Sequence, residues 1–268
     1  MHSLVVQNFS IRHTLECGQF FLYKKVGEWY YVQSGRTLFC VRQDGALLYF
    51  DGCSTNFLKR FFALDCSYEN ILRAISKDAA MREIISKYEG LRIIRQDPWE
   101  CLISFVCSSM SNVKRIQQNM FSLASECGTH VKLEGFEGFL FPRPGKISVD
   151  GAKQAKLGFR EKYVLELNER MNEKILLNLG KKSYEDAKST LMEFPGVGEK
   201  IASCVLLFGF GHIGAFPVDV WIQRAMEELY FEGEKTPINV MAEFGKYYFG
   251  VNAGYAQQFL YHWRRNHE

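Results

Sequence analysis

Two residues in the last third of the chain are of types that can do chemistry at an electron-poor carbon. Lys200 stands in Leu191-Met-Glu-Phe-Pro-Gly-Val-Gly-Glu-Lys200-Ile-Ala-Ser-Cys204, and Asp219 follows 19 residues later in Phe216-Pro-Val-Asp-Val220. An amine that is partly desolvated and near other cations has a depressed pKa and becomes a nucleophile. A carboxylate nearby steadies positive charge or takes a proton. Each residue also has an ordinary role. Most lysines are solvated surface charges. Asp219 sits between a proline and the helix-like run Val220-Trp-Ile-Gln-Arg-Ala-Met226, where an aspartate caps a helix by default.

The elements that must position them are legible locally. Ser183-Tyr-Glu-Asp186 is a capping-box pattern, and Ala187, Leu191 and Phe194 give the helix behind it an apolar face. Pro195-Gly196-Val197-Gly198 stops that helix, because proline lacks a donor and glycine reaches positive φ. A second helix restarts near Glu199. A glycine hairpin at a helix start turns backbone N–H groups outward, and these bind phosphate without a charged side chain. The plain alternative is a helix–turn–helix buried in a core. Cys204, one helical turn after Lys200, points the same way as the lysine.

Further back, residues 20–50 read as an antiparallel meander. The strands Phe20–Tyr23, Trp29–Val32, Thr37–Val41 and Ala46–Phe50 are broken by glycine turns, with Gln43-Asp-Gly45 a hairpin signal. Helices are expected after Ser67 and over Ala79–Tyr88. Asp97-Pro-Trp-Glu100 starts a nearly all-apolar, hence buried, helix. A further helix runs from Val113 to Gly128. Residues 129–147 read as a loop with little regular structure. Lys153, Lys156, Arg160 and Lys162 lie at helical spacing. The last two helices end near Gly250 and past Trp263.

The chain has 268 residues, 47% of them hydrophobic and 15% aromatic, enough for a substantial core. A net charge of +3 permits a nucleic-acid partner without demanding one. The N-terminus lacks the charged start and apolar core of a signal peptide, and no run is apolar enough to span a membrane. A cytoplasmic or nucleoid location is therefore expected. The eight cysteines include no C-x-x-C pair, so they are read as reduced and mostly buried, with neither metal nor other cofactor.

Phe194-Pro-Gly-Val-Gly-Glu-Lys200 and Pro217-Val-Asp219 resemble the signature of the helix-hairpin-helix DNA glycosylase superfamily, in its lysine-bearing, bifunctional branch. Ile94–Ser109, Cys17-Gly-Gln-Phe20, Leu157-Gly-Phe-Arg160 and Ala253-Gly-Tyr-Ala-Gln257 narrow the resemblance to 8-oxoguanine DNA glycosylases of the eukaryotic type and their bacterial relatives. The match runs in order from about residue 10 to the C-terminus.

The resemblance implies an α+β fold. A mostly helical body (residues 96–268) carries the helix-hairpin-helix at about 184–209, after an N-terminal antiparallel β-sheet domain (residues 1–95). It implies base flipping, Lys200 as Schiff-base nucleophile and Asp219 as electrostatic stabiliser, with AP-lyase strand cleavage. The partner would be double-stranded DNA carrying 8-oxoguanine opposite cytosine, and the chain a monomer. Gly18 takes the position whose carbonyl accepts the N7–H of the lesion, and Gln257 and Tyr261 those that bond and stack the base. Lys200 and Cys204 would form a charged face against the ring. Arg115 and Arg160 match the arginines that contact the orphaned cytosine, and Phe159 the aromatic wedge. Gly196 and Gly198 belong to the phosphate hairpin.

Two positions depart from the family pattern. Met110 stands where eukaryotic relatives have a gap-filling asparagine, with Asn112 two positions on. Methionine can wedge by apolar insertion but hydrogen-bonds cytosine poorly. Trp221 stands where those relatives place a phosphate-contacting histidine. The alternatives are an alkyl-base glycosylase of the same superfamily and a non-catalytic DNA-binding module.

Overall fold

The N-terminal third mixes β-formers with glycine turns, and it folds as a meander. The computed structural model describes residues 1–267. β1 (His2–Val5) precedes α1 (Ile11–Glu16), β2 (Tyr23–Val26), β3 (Trp29–Ser34), β4 (Thr37–Asp44) and β5 (Leu47–Asp51). They form one antiparallel sheet in the order β1-β5-β4-β3-β2. Two-residue turns join β2 to β5 in succession, and each opens on a glycine at positive φ: Gly27 at 60°, Gly35 at 58° and Gly45 at 55°. Such turns match the twist of the strands they connect, and glycine enters them without strain.

The sheet differs from expectation in three ways. Phe20, Phe21 and Leu22 are not a strand; all three are buried at 3% exposure or less. β2 pairs with β3 only from Tyr23 onward, so these three residues enter the apolar core ahead of the sheet. The third turn is centred on Gly45-Ala46, one residue later than the Asp-Gly signal suggests, because Asp44 pairs with Leu47. Finally, β1 gave no signal: it is short and largely exposed, and pairing with β5 is what makes it a strand.

The helical body begins with α2 (Thr55–Phe61), α3 (Tyr68–Ile75) and α4 (Ala79–Lys87). Next, α5 (Pro98–Cys107) starts at Asp97, whose Oδ1 accepts the Trp99 and Glu100 N–H groups at 3.0 and 3.1 Å. From Trp99 onward every residue of α5 is buried. Glu100 on this helix accepts the Gly35 N–H at 2.8 Å, tying sheet to helices, and burial pushes its carboxyl well up. α6 (Val113–Cys127) follows, capped by Asn112.

Residues 129–147, expected as loop, contain a second hairpin: β6 (Thr129–Leu133) and β7 (Phe136–Leu140). Its turn residues Glu134 and Gly135 both lie at positive φ, 47° and 78°. Packing selects this structure, since Phe136 stacks on Tyr31 of β3 with ring centroids 4.2 Å apart.

The basic stretch is not one helix. α7 (Val149–Gln154) ends early, Lys156 and Gly158 turn at φ 51° and 64°, and a single 3-10 turn over Gly158–Arg160 leads into α8 (Glu161–Arg170). This break leaves Phe159 exposed and turns Arg160 inward. The remaining helices are α9 (Glu173–Leu179), α10 (Tyr184–Met192), α11 (Glu199–Phe208), α12 (Val220–Tyr230), α13 (Ile238–Phe249) and α14 (Ala253–Arg265).

One continuous apolar core joins sheet and helices, with the buried faces of α5 and α11 at its middle. α14 closes the structure by returning to α1: Arg265 donates to the Glu16 carbonyl at 2.6 Å and Gln258 to the Cys17 carbonyl at 3.3 Å. Residues from both ends of the chain thereby meet. All eight cysteines are free thiols. Among the described residues no helix is long and apolar enough to cross a membrane, and no cluster of side chains is placed to hold a metal.

Candidate active site

The helix–hairpin–helix forms as its residues require. Ser183 caps α10, accepting the Asp186 N–H at 3.2 Å, and its hydroxyl donates to Asp186 Oδ2 at 2.6 Å. The carboxylate therefore returns to the hydroxyl instead of to the backbone N–H of a full capping box. Gly196 sits at φ 83°, and a Cβ there would lie 2.5 Å from Cγ of Tyr163. Only glycine satisfies both constraints. Gly198 is the N-cap of α11 and brings no capping side chain, so the first N–H groups of that helix are open to a ligand.

Lys200 lies in the first turn of α11, half-buried. Its Nζ is 3.4 Å from Ser108 Oγ and 5.3 Å from the centroid of the Phe105 ring. Among the described residues it makes no ion pair, so its amine stands in a polar notch without a fixed anion. Asp219 combines the two roles open to it. Its Oδ1 caps α12 by accepting the Trp221 and Ile222 N–H groups, both at 3.0 Å, while the residue lines the same cavity as Lys200. The cap fixes the direction in which the carboxylate faces.

That cavity measures about 760 Å³ and is also lined by Gly18, Cys204, Gln257 and Tyr261. Gln257 is buried, and its Oε1 has no hydrogen-bond partner among the described residues. An unmet buried acceptor is costly unless something supplies a donor. Gly18 is held at φ 86° just after α1. Burial pushes the Tyr261 phenol up to about 12, so it is a neutral ring wall.

Cys204 stands on the same cavity wall as Lys200. Burial pushes its thiol up to about 11, against the pull of Lys200.

The residues expected to face DNA gather at the rim. Met110, between α5 and α6, is 92% exposed and adopts φ 48°. Asn112 is exposed too, with its side-chain oxygen occupied by the Arg115 N–H at 2.9 Å. Arg115 is exposed and spends one donor on the Lys156 carbonyl at 2.7 Å. Phe159 is half-exposed, its ring 4.5 Å from the Arg160 guanidinium.

Arg160 is buried and turned inward. It donates to the carbonyls of Ser109 (2.8 Å from Nε), Met110 (2.9 Å) and Leu157 (3.1 Å). It holds the Met110 loop and offers no free fork at the surface. A second cavity of about 760 Å³, between β2, α6 and β7, contains none of the residues expected to react.

Residues 3–102 match the family model of the 8-oxoguanine DNA glycosylase N-terminal domain. The N-glycosylase/DNA lyase OGG1 of Arabidopsis thaliana is 35% identical over 231 residues, 78% of this chain and 63% of that protein. Two solved structures superpose over nearly the whole chain. MBOgg1 in complex with a low-affinity DNA ligand has a TM-score of 0.93 at 28% identity, covering 100% of this chain and 99% of that one. The 8-oxoguanine glycosylase/lyase of Clostridium acetobutylicum, in complex with double-stranded DNA containing cytosine opposite 8-oxoguanine, has a TM-score of 0.92 at 26% identity, covering 98% and 93%. The chain is similar in sequence and in fold to 8-oxoguanine DNA glycosylases. It spans less than two thirds of the length of the Arabidopsis protein.

Among the cavity residues that sequence reasoning missed, two are polar groups close to the reacting residues. Ser108 reads as part of a polar break after α5, yet its Oγ is the hydrogen-bond partner of the Lys200 amine. Arg265 is not among the expected site residues, yet it lines the cavity. The available signal was its spacing: Gln257, Tyr261 and Arg265 are four residues apart and share one face of α14.

Proposed function

We propose that the chain is a bifunctional DNA glycosylase and AP lyase that removes 8-oxoguanine from duplex DNA. One observation carries this reading: Lys200, Asp219 and the unpartnered Oε1 of Gln257 line a single cavity large enough for a purine nucleoside. Reaching it requires the nucleotide to rotate out of the helix, at a cost of a few kcal/mol. The open N–H groups of the Gly196–Gly198 hairpin hold the backbone phosphate, and exposed Met110 and Phe159 enter the gap left behind.

With the base in the cavity, the C1′–N9 bond breaks and its electron pair leaves with the base. Positive charge grows on the sugar, where Asp219 stabilises it. The Lys200 amine forms the new bond to C1′; ring opening gives a Schiff base, and loss of the adjacent proton expels the 3′ phosphate. Gln257 Oε1 accepts from the N1–H and amino group of the base, and the Gly18 carbonyl from N7–H. Opposite the lesion, the exposed Arg115 is the guanidinium free to turn toward the orphaned cytosine. Arg160 joins it only by releasing Ser109 and Met110.

Borohydride added during reaction with an 8-oxoguanine duplex is expected to trap a covalent protein–DNA adduct, which Lys200→Gln loses. Asp219→Asn is expected to bind the lesion duplex as well as wild type and to release base at least tenfold more slowly. Release of 3-methyladenine without an adduct would favour an alkyl-base glycosylase. Salt-dependent binding with no base release would leave a DNA-binding module.

A further inference from the structure

Arg265 has two halves in different circumstances. Its Nη2 donates to the Glu16 carbonyl at 2.6 Å, and the guanidinium lies 5.5 Å from the centroid of the Tyr261 ring. Its Nη1 is buried and meets no partner at hydrogen-bond geometry among the described residues; the guanidinium bears on the neighbouring Tyr261 phenol and pulls its pKa down against burial. A charged donor left unpaired in a buried position is among the costlier arrangements a fold can hold. Glycine at position 18 makes room for it, since a Cβ on Gly18 would lie 2.2 Å from Nη1. The cavity therefore presents a buried donor, Arg265 Nη1, and a buried acceptor, Gln257 Oε1.

We propose that Arg265 determines base specificity by donating from Nη1 to the O6 carbonyl of the extruded 8-oxoguanine. This inference rests on the functional reading above. Around the purine edge, the groups run in the order amino, N1–H, O6, N7–H, O8. Gln257 Oε1 suits the donors on one side of O6. The Gly18 carbonyl, which accepts no hydrogen bond from any described residue, suits N7–H on the other side. Between two acceptors for two donors, the site must supply one donor for O6, and Nη1 packs directly against Gly18. O8 borders the nitrogen that carries the sugar, and the sugar must stay at Lys200, so O8 lies toward the mouth. O6 is the carbonyl at the deep end, where Nη1 is shielded from solvent. A 6-amino purine would bring donor against donor there, and a buried polar mismatch rejects an analogue strongly.

The test compares wild type with Arg265→Met, which keeps an unbranched stem and removes the donors. Single-turnover excision is measured on duplexes carrying 8-oxoguanine and on duplexes carrying 8-oxoadenine, which has an amino group at C6. Borohydride trapping on a duplex with a preformed abasic site reports the Lys200 chemistry without any base. The expected result is a loss of 8-oxoguanine excision of about tenfold to a hundredfold. Excision of 8-oxoadenine should be unchanged or faster, and abasic-site trapping should match wild type. Equal loss on both bases, or none on 8-oxoguanine, would overturn the proposal and leave Arg265 as a brace for Glu16. Failure of wild type to excise 8-oxoguanine would overturn the functional reading, and this inference with it.

Discussion

Arg160 Nη2 donates to the backbone carbonyl of Met110 at 2.9 Å, and Met110 is held in the left-handed region at φ 48° with its side chain in solvent. A left-handed backbone costs a residue with a Cβ about 1–2 kcal/mol. Bonds from Arg160 to Ser109 and Met110 offset that strain and set the wedge before DNA arrives. Arg160→Met should therefore slow 8-oxoguanine excision about tenfold, by the same factor whichever base stands opposite. Single-turnover rates opposite all four bases provide the check. A loss confined to cytosine would instead mean that Arg160 leaves the loop and reads the orphaned base.

The hairpin can be tested at Gly196. Alanine there meets an unfavourable φ of 83° and a collision 2.5 Å from Cγ of Tyr163. A loss of stability of about 1–3 kcal/mol is expected, with weaker binding to undamaged duplex because the open N–H groups are displaced. Gly198→Ala is the contrast. A Cβ on Gly198 meets nothing within 4 Å and its backbone is extended, so thermal stability should change little. Similar Tm values for the two variants would mean that the hairpin is not constrained as described.

Acid stability follows from His262. Its ring is buried, its Nε2 is 3.4 Å from His13 Nδ1, and Asn266 lies 3.2 Å from its Nδ1. Burial, with Arg265 and His13 adding to it, pushes the imidazole from 6.5 down to about 3. His13 is lowered as well. The unfolded chain thus binds protons that the folded state refuses between these values, so the contribution is intact above about pH 6.5 and is lost as pH falls toward about 3. The loss should reach about 2 kcal/mol by about pH 5. The buried Glu100 carboxyl is raised and works in the opposite direction, so the comparison must be with a variant. His262→Phe should keep more of its neutral-pH Tm than wild type on acidification. Parallel Tm curves would show that His262 is protonated freely in the fold.

Features that depend on short-range chemistry are legible in the order of residues alone. Asp97 and Asp219 cap the helices they were expected to cap, because a carboxylate two or three residues from a free N–H needs no distant partner. The glycine hairpin, the meander turns and the types of Lys200 and Asp219 were legible for the same reason. Tertiary packing decided the rest. The Glu134-Gly135 hairpin exists because Phe136 finds Tyr31, about a hundred residues away in the chain. Burial raises the Cys204 thiol, an effect that periodicity cannot weigh against a neighbouring lysine. Arg160 looked like one more member of a basic stripe until a 3-10 turn set its guanidinium under Met110. Arg265 and Gly18 carried no mutual signal, being separated by most of the chain. Only the return of α14 onto α1 places an unpaired guanidinium N–H beside a residue with no side chain to exclude it.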